Sequence, residues 1–276
     1  MCSKKTKTAI VLGSPRSGTS MTAGLLSILG VDMGRVRPPD FENPTGYFED
    51  IEFSKLIADL FRAANPQADG FNPPSQSELM KQFPKFHERA KRLIAQRIQN
   101  ARSPVWGWKV TSTIFVMPLF LPYLPDPHFI VVVRNPLDIA RSMINYTRRK
   151  GYKKLSLVQA LKLTNLYYMA IFTFLEEHST LPWCVVSYEE LLKEPHSHIQ
   201  KILTFLGIEA NQKQIMEACK FVNPRIGRKK YIWRLRTRFA RMCRYVLRGI
   251  RNPSKASRFV YQSIKSYINR AVKGTR

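Results

Sequence analysis

Thr8-Ala9-Ile10-Val11-Leu12-Gly13-Ser14-Pro15-Arg16-Ser17-Gly18-Thr19-Ser20 is the stretch that decides the fold of this chain. Ala9 to Leu12 are apolar, and the run stops at Gly13-Ser14-Pro15, the pattern of a buried strand ending in a loop. After Gly18, Met21, Leu25, Ile28 and Leu29 share one helical stripe until Gly30 ends it. Strand, glycine-containing loop and helix thus follow directly, with Gly13 and Gly18 at phosphate-loop spacing. Backbone N–H groups in such a loop ring an anion, and the helix N-terminus adds partial positive charge. The plainer alternative is a βα turn that needs glycine only for its dihedrals.

Working outward, Phe129-Ile130-Val131-Val132-Val133 is a second buried strand, broken at Arg134-Asn135-Pro136. A helix is expected from Leu137 to about Arg148, then another over Leu157 to Glu177. A strand at Trp183 to Ser187 and a helix at Glu190 to Leu206 follow. Between these two buried strands, residues 35–50 read as a loop, and Ile51 to Ala63 and Glu78 to Asn100 as helices. Alternating strands and amphipathic helices predict a P-loop-like, three-layer α/β fold with a mainly parallel central sheet. Ligands of such sheets bind beyond the strand C-termini, where the polar signatures fall.

A chain of 276 residues with 44% hydrophobic content can bury one sizeable core. Cys2, Cys184, Cys219 and Cys243 lack metal-site spacing, so a reducing compartment is expected and no metal. Ala9 to Leu12 is too short for a signal-peptide core, and no run approaches the roughly 20 apolar residues of a membrane span. The expected location is cytoplasmic. The net charge of +26 is uneven: 18 of the 45 Lys and Arg, and none of the 19 Asp and Glu, lie from Lys220 onward.

Thr19 stands where a nucleoside-triphosphatase loop has its lysine, and Arg16 is the cation offered instead. Arg134 occupies the strand end where an Asp would hold Mg²⁺. A phosphate ligand follows, without metal-dependent ATP hydrolysis. A P-loop small-molecule kinase is the first rival, and a non-catalytic anion- or membrane-binding protein the second.

Ser14 to Ser20 resemble the 5′-phosphosulfate loop of sulfotransferases that use 3′-phosphoadenosine-5′-phosphosulfate (PAPS), in their tyrosylprotein and bacterial carbohydrate-type branches. Val133-Arg134-Asn135-Pro136, with Ser142 eight residues after Arg134, is similar to the family's 3′-phosphate site. Tyr188 in Val185-Val186-Ser187-Tyr188-Glu189 resembles a nucleotide-contacting tyrosine. The resemblance implies Pro15, Arg16, Ser17, Gly18, Thr19, Ser20, Arg134, Ser142 and Tyr188 as cofactor-binding residues. It also implies PAPS as donor, O-sulfation as the reaction, and no metal. A guanidinium at 134 suits a phosphate because it donates two coplanar hydrogen bonds.

Sulfuryl transfer needs an in-line acceptor oxygen, a base for its proton, and cations for the charge on transferred and leaving groups. Arg16 is the first cation. Lys109, in Trp106-Gly107-Trp108-Lys109, resembles the lysine that tyrosylprotein-type members set beside the transferred group, although Val110 and Thr111 depart from the family's Asp-Pro. The alternative is a lysine snorkelling from a tryptophan-rich strand. Histidine bases suit other branches, but His87 and His128 lie in no matching motif, and His178, His196 and His198 read as helix-surface residues. Asn43-Pro44-Thr45-Gly46-Tyr47-Phe48-Glu49 resembles a loop of carbohydrate-type members. Glu49 is the leading base, with Glu42, Asp40 and Asp50 as alternatives. Carbohydrate or glycolipid hydroxyls are the acceptors this implies.

Arg225 and Arg228 fit a C-terminal loop that folds over the nucleotide in the family, closing a domain of residues 1–228. Residues 229–276 read as a basic amphipathic helical extension. Leu235, Phe239, Met242, Val246 and Ile250 recur at helical spacing beside Arg234, Arg238, Arg241, Arg244 and Arg248. That face either packs on the domain or docks peripherally on an anionic inner membrane surface. No nucleic-acid recognition motif accompanies the charge.

Overall fold

Among the described residues, β1 (Lys7–Gly13), β2 (Val105–Trp108), β3 (Pro127–Val133) and β4 (Trp183–Ser187) form one sheet in the order β2-β1-β3-β4. Every pairing is parallel, with Ile10 opposite both Trp108 and Phe129, and Val131 opposite Val185. This computed structural model describes residues 6–39, 46–152 and 155–222. The expected C-terminal extension, Arg225, Arg228, Asp40 and Glu42 lie outside the described residues.

The period of two along each strand divides its side chains between two cores. Ile10, Leu12, Phe129, Val131 and Val133 enter one, while Ala9, Val11, Ile130 and Val132 enter the other. Helices α2 (Ile51–Ala64), α3 (Gln76–Gln99), α4 (Thr113–Phe120), α5 (Pro136–Arg149) and α6 (Leu157–Glu177) cover the first face. Helices α1 (Thr19–Ile28), α7 (Tyr188–Lys193), α8 (Pro195–Leu206) and α9 (Gln212–Phe221) cover the second. The expected three layers are present. Each Val, Ile or Phe fully buried in these strands contributes about 1.5–3 kcal/mol, which is why two-sided burial selects such apolar runs.

One expectation is corrected: the helix read over Glu190 to Leu206 is two helices, α7 and α8, meeting at Glu194 (φ −131°, ψ 62°). Pro195 has no N–H to continue the ladder and disfavours helical dihedrals in the residue before it, so it starts a new helix at its first position. Helices α4 and α9 were not anticipated from the pattern. Among the described residues no helix is long and apolar enough to cross a membrane.

The strand order sets the site. β1 continues to β2 on one side, and the chain then crosses to β3 on the other, so the C-terminal ends of β1 and β3 flank a topological switch point.

Candidate active site

The loop after β1 is held in an unusual backbone. Ser17 N–H donates to the Ser14 carbonyl (3.0 Å), Arg16 has φ 69°, and Gly18, the N-cap of α1, has φ 105°. A left-handed conformation costs a non-glycine residue about 1–2 kcal/mol, so Arg16 bears strain that its surroundings must hold. Gly18 needs its missing side chain twice over: its φ is left-handed, and a Cβ would collide with the Tyr188 ring. No side chain caps α1, which leaves its first N–H groups to an incoming acceptor.

The end of β3 supplies the second wall. Asn135 Oδ1 caps α5 by accepting from Leu137 N–H (2.9 Å) and Asp138 N–H (3.4 Å), with Pro136 at the first helical position. This launches α5 back across the loop. Ser142 therefore accepts from Arg16 Nε (3.1 Å), and the Arg16 guanidinium lies 5.1 Å from the Tyr146 ring centre. Arg134 Nη1 donates to the Arg16 carbonyl (3.1 Å) and its guanidinium lies 4.3 Å from the Tyr188 ring centre.

The end of β4 closes the cluster. Ser187 caps α7, and Tyr188 opens it between Gly18 and Arg134. The neighbouring Glu189 accepts from Asn135 N–H (2.9 Å), fixing the turn that carries Arg134. Burial pushes the Glu189 carboxyl above the usual carboxylate range.

The third element comes from β2. Trp108 stacks on Phe53 at 4.0 Å and donates its Nε1–H to Thr113 Oγ1 (3.0 Å), which anchors the residue that follows. That residue, Lys109, is 2% exposed and donates to Glu49 Oε1 at 2.9 Å. Glu49 is itself held by its backbone: Arg37 N–H donates to the Glu49 carbonyl and Ile51 N–H to the Arg35 carbonyl, both at 2.9 Å. Burial lowers the Lys109 pKa, Glu49 pulls it back up, and Arg16 lowers it again. Burial likewise lowers Arg16, with Tyr146 opposing and Arg134 and Arg149 adding to the fall. The buried Lys109 and the half-buried Arg16 thus lie close enough to repel, and the Glu49 carboxylate offsets this at Lys109.

The structure brings Arg16, Arg134, Ser142 and Tyr188 together at the strand ends, and pairs Lys109 with Glu49. Asp50, an alternative base, is engaged elsewhere: its carboxylate caps α2 through Glu52 and Phe53 N–H (2.9 and 3.0 Å) and lies 3.9 Å from Arg97 Nε. Among the histidines, the surface reading of His198 is corrected. It is 5% exposed, because α8 packs that side on the second core. His87 contacts the Tyr123 hydroxyl, and His128 sits at the opposite end of β3 from the cluster. Tyr146 and Glu189, which the structure adds to this cluster, were not singled out from the sequence. Tyr146 had a local signal, its position one helical turn after Ser142 on α5.

The family model for sulfotransferases matches residues 9–212 of this chain. No curated protein sequence matches it. The sulfotransferase domain from the curacin biosynthetic pathway has TM-score 0.49 and 14% identity, covering 77% of each chain. Sulfotransferase STF9 from Mycobacterium avium has TM-score 0.49 and 16% identity, over 79% of this chain and 68% of that one. Mouse sulfotransferase SULT7A1, complexed with PAP, has TM-score 0.47 and 15% identity, over 79% of this chain and 64% of that one.

Proposed function

Since this chain belongs to the sulfotransferase family, we propose that it moves a sulfuryl group from PAPS to a hydroxyl of a carbohydrate or glycolipid. The fit to a bisphosphorylated nucleotide is supported by unsatisfied polar atoms. Ser17 Oγ and Arg134 Nε are buried without a hydrogen-bond partner, one in the loop and one at the end of β3. Such atoms cost about 1–3 kcal/mol each unless a ligand meets them, and both are suited to phosphate oxygens.

In this reading Pro15 to Ser20 hold the 5′ end through backbone N–H groups and the α1 N-terminus. Arg134 and Ser142 bind the 3′-phosphate, and Tyr188 backs Arg134 and the nucleotide. PAPS supplies the sulfuryl group, whose bond to the phosphate oxygen breaks as the acceptor oxygen bonds to sulfur. Glu49 takes the acceptor's proton. Lys109 and Arg16 offset the charge on the transferred group and the leaving phosphate. The observation that carries this is the 2.9 Å Lys109–Glu49 pair beside the phosphate loop. A carboxylate held against a buried ammonium is the kind of pair that a base and a charge-offsetting cation would form, which supports these two roles.

Calorimetric titration of the full chain is expected to show tight binding of adenosine 3′,5′-bisphosphate (PAP) without metal and weak binding of ATP with Mg²⁺. The reverse preference would sink the donor assignment and restore the kinase reading.

The domain of residues 1–228 is proposed to carry this chemistry, with Arg225 and Arg228 over the nucleotide. Residues 229–276 are proposed as a peripheral anchor at the cytoplasmic membrane face. Each basic residue near an anionic surface contributes about 1 kcal/mol, so the full chain is expected to sediment with phosphatidylserine vesicles at low salt and to leave them at high salt. Equal sedimentation with neutral vesicles would overturn the anchor.

A further inference from the structure

We infer that the acceptor is an anionic saccharide whose ring rests on an aromatic platform of Phe71, Tyr146 and Tyr152, with its acidic group toward Arg149. This rests on the sulfotransferase reading and names the acceptor class for that same site.

The platform is built by two chain segments. At the end of α5, Gly151 takes φ 68°, and Tyr152 N–H donates to the Thr147 carbonyl at 3.0 Å. This left-handed closure turns Tyr152 back toward Tyr146, with ring centres 6.3 Å apart. From the connection between α2 and α3, Phe71 stacks on Tyr146 (5.8 Å, 23°) and lies 6.3 Å from Tyr152. Asp69 Oδ1 accepts from Phe71 N–H (2.7 Å) and Asn72 N–H (2.8 Å), and the Tyr167 hydroxyl donates to the Gly70 carbonyl (2.7 Å).

The closure of α5 explains why Tyr152 meets Tyr146. It leaves unexplained why a third ring joins them at the surface, with Tyr152 51% exposed. Three clustered rings left partly in water are suited to a flat ligand, and a pyranose offers its C–H face to such rings.

Two observations tie the platform to the reaction. Its inner ring, Tyr146, lies against Arg16 at 5.1 Å, so the surface is continuous with the phosphate loop. The Gly70 carbonyl, next to Phe71 in the chain, accepts from the Tyr167 hydroxyl. That hydroxyl sits near Ser112 and Thr111, just past Lys109, and in the field of Glu49, while burial raises its pKa. A ring seated there is on the same side of the site as Glu49 and Lys109.

Charge selects among flat ligands. Residues 145–152 carry Arg148, Arg149 and Lys150 and no acid. Arg149 is close enough to lower the Arg16 pKa. A carboxylate on the ring complements Arg149, whereas a neutral sugar or a simple phenol brings it no opposite charge.

The test uses the PAP-loaded full chain and three probes: an unsulfated glucuronate-containing tetrasaccharide, cellotetraose and 4-nitrophenol. The acidic saccharide is expected to bind at least ten times more tightly than the others, with affinity falling as salt rises. With PAPS, Tyr152→Ala and Arg149→Ala are each expected to raise its KM about tenfold with kcat and the PAP Kd little changed, while Tyr152→Phe stays near wild type. Preference for cellotetraose or 4-nitrophenol, or an unchanged KM in both alanine variants, would overturn the inference. If PAP itself fails to bind, the donor reading falls and this acceptor assignment with it; if PAP binds and the acidic saccharide does not, only the assignment falls.

Discussion

Glu49→Gln is expected to lower kcat for sulfuryl transfer by about 10²–10⁴-fold, the usual contribution of a positioned general base. Calorimetry should meanwhile give an unchanged Kd for PAP, which lacks the sulfuryl group. The substitution keeps shape and removes the charge that supports Lys109, so a second effect follows with a definite sign. Burial lowers the Lys109 pKa and the Glu49 carboxylate raises it. Without that carboxylate, Lys109 loses its proton at lower pH than in the wild type. The alkaline fall of residual activity should therefore move toward neutral pH in the variant. A kcat within threefold of wild type would remove Glu49 as the base and direct attention to the acids of residues 40–42.

The second large effect is at Arg134. Arg134→Ala should weaken PAP binding by about 100-fold or more, since hydrogen bonds to charged groups are worth about 1.5–3 kcal/mol each. The guanidinium also donates to the Arg16 carbonyl at 3.1 Å, so a looser phosphate loop could give the same loss. Adenosine 5′-phosphosulfate, which has no 3′-phosphate, separates the two. If Arg134 meets that phosphate, the wild type prefers the 3′-phosphorylated nucleotide strongly and the variant hardly at all. An equal loss for both nucleotides would assign Arg134 to loop support instead. Arg134→Lys should recover little, because an ammonium cannot hold the Arg16 carbonyl, lie over Tyr188 and fork onto a phosphate together.

Where local pattern governs, the sequence was legible. The expected helix over Leu157 to Glu177 and strand over Trp183 to Ser187 coincide with α6 and β4, because apolar period and caps lie within each segment. The turn from β1 into α1 was legible for the same reason: strand, glycines and helix start are consecutive. The break at Pro195 was also written locally, but a helical stripe running through both halves concealed it. Helix α4 eluded the pattern because it is buried almost all round, from Thr113 to Phe120, and shows no polar face.

The candidate site was legible as a set of residue types and not as an arrangement. Glu49 and Lys109 are 60 positions apart, Arg16 and Ser142 126, and Arg16 and Arg134 118. Periodicity carries no information about which strand lies beside which. By itself, then, the sequence determined the α/β class, the glycine-containing turn from strand to helix and the cationic residues at the strand ends, since these follow from short-range backbone preferences and side-chain chemistry. Only the tertiary structure decided that Lys109 pairs with Glu49, that Asp50 is engaged as a cap, and that Phe71 meets Tyr146 and Tyr152 beside the loop. Those outcomes depend on the strand order and on how two cores press their helices against the sheet, which is a property of the whole packed chain.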